Sequence, residues 1–360
     1  MIKNLKILKI LYKAFGFRFK YIGILIFRAF ISGVMLFSLF LDRIFFPKSA
    51  KQSLKNPIFL IGHLRSGTTF VHRFITKNCD DIQGFYLWQM VFPALTMRKI
   101  IRPLLPVIKN ISFDAVYDPK IHKTSLTRME ADDIALSFRF FDGLLSWIYF
   151  YSWNIFKNEE SFRNELLKVS RQQRFICYLK DVYRKNIYKS EKRMFSKSFS
   201  LLFSVDSIEN EFENPKILLI LRNPAEAVPS MMSLEKKVQE SLNNFSRQPD
   251  NLQKRYFQNL YRTSLFYYET FHEVAKKKKD SENFMLVTHR QIMTGFDETF
   301  EKIISFYGLE KSEKLKKALA EQSSMQKEFK TEHIYSLDQF GITKEQIEKD
   351  FAFIYENYDV

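Results

Sequence analysis

A chain of 360 residues, 46% hydrophobic and 27% charged, is long enough for one large domain or two modest ones and too apolar to be disordered. Its formal net charge of +16 suits anionic nucleotides or a negatively charged membrane surface. The lysines are interleaved with acids, as where Lys276-Lys277-Lys278-Lys279 runs into Asp280 and Glu282, which reads as a solvated helix end and argues against nucleic acid as the partner.

Residues 1–20 carry Lys3, Lys6, Lys9, Lys13, Arg18 and Lys20 and no acid, set among Ile, Leu and Phe, a pattern that predicts a basic amphipathic helix. Tyr21 to Leu41 is apolar and long enough to cross a bilayer, but Arg28 interrupts it. A charge at mid-bilayer costs about 3 kcal/mol even on lenient scales. No small-residue cleavage site follows, so a secretory signal fits poorly. A spanning helix, an interfacial helix pair and a helix packed on the folded domain all stay open. Residues 1–46 are set apart as a membrane-associating segment and 47–360 as the main domain. The two cysteines, Cys79 and Cys177, form no metal or disulfide framework, so a reducing compartment without a bound metal is expected.

Pro57 to His72, PIFLIGHLRSGTTFVH, is the most informative stretch. The run Ile58-Phe59-Leu60-Ile61 predicts a buried parallel strand, and Phe70, Val71, Phe74 and Ile75 follow at helical spacing. Between them Gly62 and Gly67 bound a loop whose N–H groups and following helix N-terminus make an anion cradle. Thr68 and Thr69 add hydroxyls, and Arg65 adds a cation able to bind two oxygens at once. The glycine spacing is that of a P-loop, yet Thr68 stands where the P-loop lysine belongs.

Residues 80–125, with Pro93, Pro103, Pro106 and Pro119, predict short helices and loops around a substrate entrance. Glu130, Asp132 and Asp133 then place three carboxylates before an apolar run, and the aromatic-rich stretch 138–156 reads mostly as core. Residues 157–192 predict an amphipathic helix pair, Arg193 to Phe199 a short strand, 205–214 a helix and Lys216 to Leu221 the clearest buried strand. Asn223-Pro224 caps and opens the next helix. A long amphipathic helix over 251–279, a strand over 283–288 and a helix from Phe296 to Tyr307, stopped by Gly308, complete the alternation, before a charged helical tail. Alternating strands and helices predict an α/β fold: a parallel sheet covered by helices on both faces, preceded by an N-terminal helical extension. Arg222 ends the 216–221 strand and Ser230 lies eight residues on, a spacing that lets both converge on one phosphate at the carboxyl edge of such a sheet.

The Gly62–His72 loop resembles the 5′-phosphosulfate loop of the sulfotransferase family, in its GHPRSGTT form, with Leu64 in place of the proline. The stretch Leu221 to Ser230 is similar to the family's 3′-phosphate motif. Lys197-Ser198 stands where the family has Lys-Ser/Thr-Pro, with Phe199 replacing the proline, and His333 to Gly341 resembles its closing H-x-Y-S-L-x-x-F-G segment. The resemblance covers about residues 55–345 and implies a P-loop-like fold and sulfuryl transfer from 3′-phosphoadenylyl sulfate (PAPS), a co-substrate, to a hydroxyl or amine of a lipid-like, carbohydrate or other small acceptor, without a metal. It implies donor binding by Arg65, Ser66, Gly67, Thr68, Thr69, Arg222, Ser230 and His333, with Arg65 and Lys197 acting on sulfate and leaving-group charge. The base that deprotonates the acceptor is open between Asp132, Asp133 and Glu130, with His63 and His72 near the loop. A P-loop kinase and a silent nucleotide-binding membrane-surface protein are the rival readings. A cytosolic donor favours a cytoplasmic protein lying on the membrane; a lumenal catalytic domain behind a spanning anchor is the alternative in a eukaryote.

Overall fold

The structure is a computed structural model that describes residues 2–108, 129–130, 136, 138–170, 173–328 and 337–360. Its strands in chain order are β1 (Ile58–Gly62), β2 (Ile82–Gln83), β3 (Phe85–Tyr86), β4 (Met129–Glu130), β5 (Arg193–Lys197), β6 (Lys216–Leu221) and β7 (Phe284–Thr288). The chain forms two compact units, one of residues 55–84, 191–236 and 260–360, the other of residues 1–54, 85–190 and 237–259.

The first unit holds a five-stranded sheet in the order β2-β5-β1-β6-β7, every neighbouring pair parallel. Such pairing needs crossover connections, which is why strands and helices alternate in the sequence. β1 has no exposed residue, and its neighbours alternate faces. Ile58 and Leu60 join Leu218, Ile220 and Val287 in a cluster with Val71, Phe74, Phe300 and Ile304, whereas Phe59 on the opposite face packs edge-on to Phe212 at 5.0 Å. Both faces are therefore covered, as the all-apolar runs predict. The chain leaves β1 through α3 (Thr68–Asn78) toward β2 on one side and later adds β6 on the other side. That reversal leaves a crevice outside the carboxyl ends of β1 and β6, where ligands of open α/β sheets bind.

The second unit is built mainly of helices around aromatic side chains. Trp147, Tyr151, Trp153, Phe162 and Tyr256 are fully buried, with the Trp147 and Tyr151 rings stacked at 5.8 Å and Trp153 on Tyr256 at 4.2 Å. The expected aromatic core is present, but as a helix confined to Gly143–Phe150 and flanked by tighter turns. Phe141 and Gly143 both have positive φ, so a continuous helix cannot begin earlier. The buried Asp142 carboxylate between them binds Arg174 at 2.6 Å and also Lys3.

The N-terminus forms α1 (Ile2–Phe15) and α2 (Phe19–Phe45). α1 buries Ile7, Ile10 and Leu11 and turns its lysines outward or onto acids, as in the Lys6–Glu165 ion pair at 2.5 Å. Tyr21, Arg28 and Asp42 of α2 bond to other elements of this unit. Tyr21 donates to Asn243 Oδ1 at 2.8 Å, and the Arg28 guanidinium lies 3.9 Å from the Phe141 ring centre and donates to Asn4 Oδ1 and to the Arg139 carbonyl. Asp42, 1% exposed, accepts from the Leu95 and Thr96 N–H groups and the Thr96 hydroxyl at 2.7–2.9 Å. It thus caps the helix Leu95–Ile101, whose own N-cap Ala94 has no side chain able to do so. Asp42→Ala would leave these buried donors without an acceptor, and we expect it to lower stability by about 2 kcal/mol, read as a shift in the urea midpoint without a change in slope.

Candidate functional site

The loop between β1 and α3 is held tightly from below. Arg65 adopts φ +70°, a left-handed conformation uncommon outside glycine, and Gly67, the N-cap of α3, has φ +86°. The Ser66 N–H is used inside the loop, donating to the His63 carbonyl at 3.1 Å. The N–H groups of Thr68 and Thr69 are at the very start of α3, with no intrahelical carbonyl to bond, so they and the helix dipole offer donors and partial positive charge to an anion. The Ser66 hydroxyl is fully buried and has no hydrogen-bond partner.

Strand ends bring the other polar groups to the loop. Arg222, just after β6, donates from Nη1 to the Arg65 carbonyl at 2.7 Å, and Arg65 Nε donates to the Ser230 hydroxyl at 3.0 Å. Two residues eight apart in sequence thus meet a third from a different strand end, because the helix Pro224–Asn243 carries Ser230 back over the crevice. Lys197, at the end of β5 and 5% exposed, donates to Thr69 Oγ1 at 3.0 Å. Arg65, Arg222 and Lys197 therefore gather at one loop, and Glu226 accepts from Arg222 Nε at 2.9 Å. Chemically, this arrangement can hold several anionic oxygens and neutralise charge that grows on one of them.

The histidines are held in place by packing and burial. His63 Nδ1 donates to the Leu64 carbonyl at 2.8 Å, Nε2 lies 3.1 Å from the Ser264 hydroxyl, and the ring packs on Tyr267 and Tyr268. Burial lowers its pKa to about 4. His72, whose ring lies tilted against Phe195 at 4.7 Å, is lowered to about 3, chiefly by burial and then by the charge of Lys197. Glu130 has its backbone on β4, antiparallel to β3 with Phe85 opposite it, in the other unit. Asp132, Asp133 and His333 lie outside the described residues.

Sequence reasoning missed His289. It opens a short helix directly after β7, and its Cδ2 would lie 2.8 Å from a Cβ placed on Gly67. Burial, then the Arg222 charge, lowers its pKa to about 4, so at neutral pH it closes the cradle wall without adding charge. Its place at the carboxyl end of a parallel strand was the available signal. Tyr268, which donates to the Arg222 carbonyl at 2.8 Å, was missed as well and had no local signal.

A parallel sheet with a cation-lined phosphate-type cradle at its switch point is the architecture of an α/β group-transfer enzyme. A family model described as the sulfotransferase family matches residues 57–313, and the chain belongs to that family. The chain resembles in fold the sulfotransferase STF1 from Mycobacterium tuberculosis H37Rv, at 18% identity and TM-score 0.69, over 98% of this chain and 92% of that one. It likewise resembles the sulfotransferase STF9 from Mycobacterium avium, at 15% identity and TM-score 0.71, over 96% and 87%. No curated protein matches in sequence. The protein is thus a sulfotransferase, an enzyme of sulfuryl transfer, with the P-loop-like fold expected from its sequence.

Proposed function

We propose that the donor is PAPS and that the acceptor is a hydroxyl or amine of a lipid-like, carbohydrate or other small molecule. The observation that carries the donor assignment is the meeting of Arg222, Ser230 and Arg65 at one loop, where the Arg222 guanidinium donates to the Arg65 carbonyl and the Arg65 guanidinium donates to the Ser230 hydroxyl. The buried Ser66 hydroxyl without a partner supports it, as a group left ready for a ligand oxygen. When bound, this donor supplies a sulfuryl group on a phosphate leaving group and a 3′-phosphate that ATP lacks. Thr68 and Thr69, with Ser66 and the backbone at Gly67, hold the 5′-phosphosulfate oxygens. Arg65 neutralises charge gathering on the leaving oxygen, and Lys197, placed by its bond to Thr69, serves the sulfate oxygens. Arg222 and Ser230 take the 3′-phosphate, and His333 belongs to the segment that caps the nucleotide. One of Asp132, Asp133 or Glu130 takes the acceptor proton; the burial and partners of His63 and the burial of His72 argue against either as that base.

The reading is tested by thermal stabilisation with adenosine 3′,5′-bisphosphate against ATP, GTP and AMP, without metal. At about a hundred times its dissociation constant the bisphosphate should add roughly 2.7 kcal/mol. A shift confined to ATP with Mg²⁺ would point to a kinase, and no shift at all would leave a protein without this donor site.

The same reading places the enzyme on a membrane surface through residues 1–46, on the cytoplasmic side. Support comes from α2, a 27-residue helix of mean hydropathy 2.3 in its most apolar window, only 6% of which is buried. Ile26, Phe27, Phe30 and Phe37 are each 63–66% exposed on it, while Arg28 and Asp42 are used on the side that faces the protein. An apolar face outward and polar contacts inward suit a helix lying in the interface better than one crossing the bilayer.

A further inference from the structure

We infer that an apolar cavity beneath the N-terminal helices holds one hydrocarbon chain of an anionic bilayer lipid; the inference rests on the surface attachment proposed above and adds a lipid site to it. The cavity measures about 290 Å³, close to the lower end of pockets that take small organic ligands. Ile7 and Leu11 of α1, Ile24 and Leu25 of α2, and Tyr149 and Phe150 form much of its wall. Polar groups of the lining have protein partners, since Tyr21 donates to Asn243 Oδ1 at 2.8 Å and Lys20 donates to the Leu242 carbonyl. Hydrocarbon gains from such a wall, whereas water gains little.

Two features choose the lipid. Ile24 lines the cavity and is also 55% exposed, so the wall runs without a break into the outward apolar face of α2. The cavity therefore opens toward the surface that the proposed bilayer would cover. Among the described residues the one charged side chain of the lining is Lys20, with Arg18 two residues before it, and no acid occurs in the chain before Asp42. A tail inside and a negative headgroup at Lys20 and Arg18 match that layout.

The test uses the full chain and cis-parinaric acid, a fluorescent long-chain carboxylate, below its micellar concentration and without vesicles. Saturable binding at one site, displaced by palmitate, is expected. Ile24→Trp, at an exposed position that tolerates a larger side chain, should fill the mouth and weaken binding at least tenfold, and Lys20→Glu about fivefold. Sedimentation with phosphatidylserine vesicles is measured in parallel, and Ile24→Trp should retain it. Absence of parinarate binding, or equal binding by wild type and Ile24→Trp, overturns the lipid site while retained vesicle binding leaves surface attachment standing. Loss of vesicle binding by the wild type overturns both.

Discussion

Arg222→Ala should lower kcat/KM by about 10²- to 10³-fold and weaken adenosine 3′,5′-bisphosphate binding by a similar factor. Truncating a buried charge-paired group costs about 2–5 kcal/mol, and each 1.4 kcal/mol is tenfold. Arg222 is 16% exposed at its side chain and has two tasks. Its Nη1 holds the Arg65 carbonyl at 2.7 Å, which helps keep Arg65 in its left-handed conformation, and under the proposed donor reading its guanidinium, paired with Glu226 in this structure, also binds the 3′-phosphate. The tasks separate by ligand. Loss of the phosphate contact weakens the bisphosphate far more than AMP, whereas loss of the loop tie alone weakens both equally. Arg222→Lys keeps the charge but not the fork and should fall in between. Calorimetric titration of the three proteins with both nucleotides decides it, and normal bisphosphate binding by Arg222→Ala would remove the 3′-phosphate assignment.

How much of this was legible in the sequence depends on how local each signal is. β1 and β6 were plain because both faces of each are covered, so their residues are apolar without alternation. β2 was invisible: two residues, Ile82 and Gln83, carry no periodicity, and only their parallel pairing with Arg193 and Met194 makes them a strand. The loop residues and the Arg222–Ser230 spacing were readable, since one turn and one helix fix them. Their meeting at Arg65 was not, because it follows from β6 lying next to β1, a fact of sheet order. His289 escaped for the same reason: it is far from the loop in sequence and reaches it only through the position of β7. Arg28 shows the opposite limit. A charge inside an apolar stretch reads as an obstacle to membrane contact, but the side of the helix it occupies decides the matter, and here it turns toward Phe141 and Asn4.

Gly62→Ala should cost about 2–3 kcal/mol of stability and at least tenfold in nucleotide affinity together, an expectation that rests on sterics alone. A Cβ at this position would lie 2.5 Å from the Ser66 hydroxyl, 2.8 Å from Thr68 Cγ2 and 2.8 Å from the Ile220 carbonyl. Inserting a methyl into a well-packed interior typically costs 1–3 kcal/mol, and the cost is higher when the neighbour is backbone. Ile220 is the register partner of Gly62 in the β1–β6 pair, so its carbonyl cannot retreat without loosening the two central strands. The other two clashes fall on Ser66 and Thr68, and relief there moves the donors of the anion cradle. Gly67→Ala is the informative companion. Its obstacle is the His289 ring, whose Cδ2 would be 2.8 Å away and which can turn aside, leaving mainly the cost of a left-handed alanine, about 1 kcal/mol. Urea denaturation paired with bisphosphate titration of both variants should therefore rank Gly62→Ala as the more damaging on both scales. Equal stability and affinity in Gly62→Ala and the wild type would mean that the loop is free to move away from β6, and that the cradle is shaped by the ligand and not by the strand beneath it.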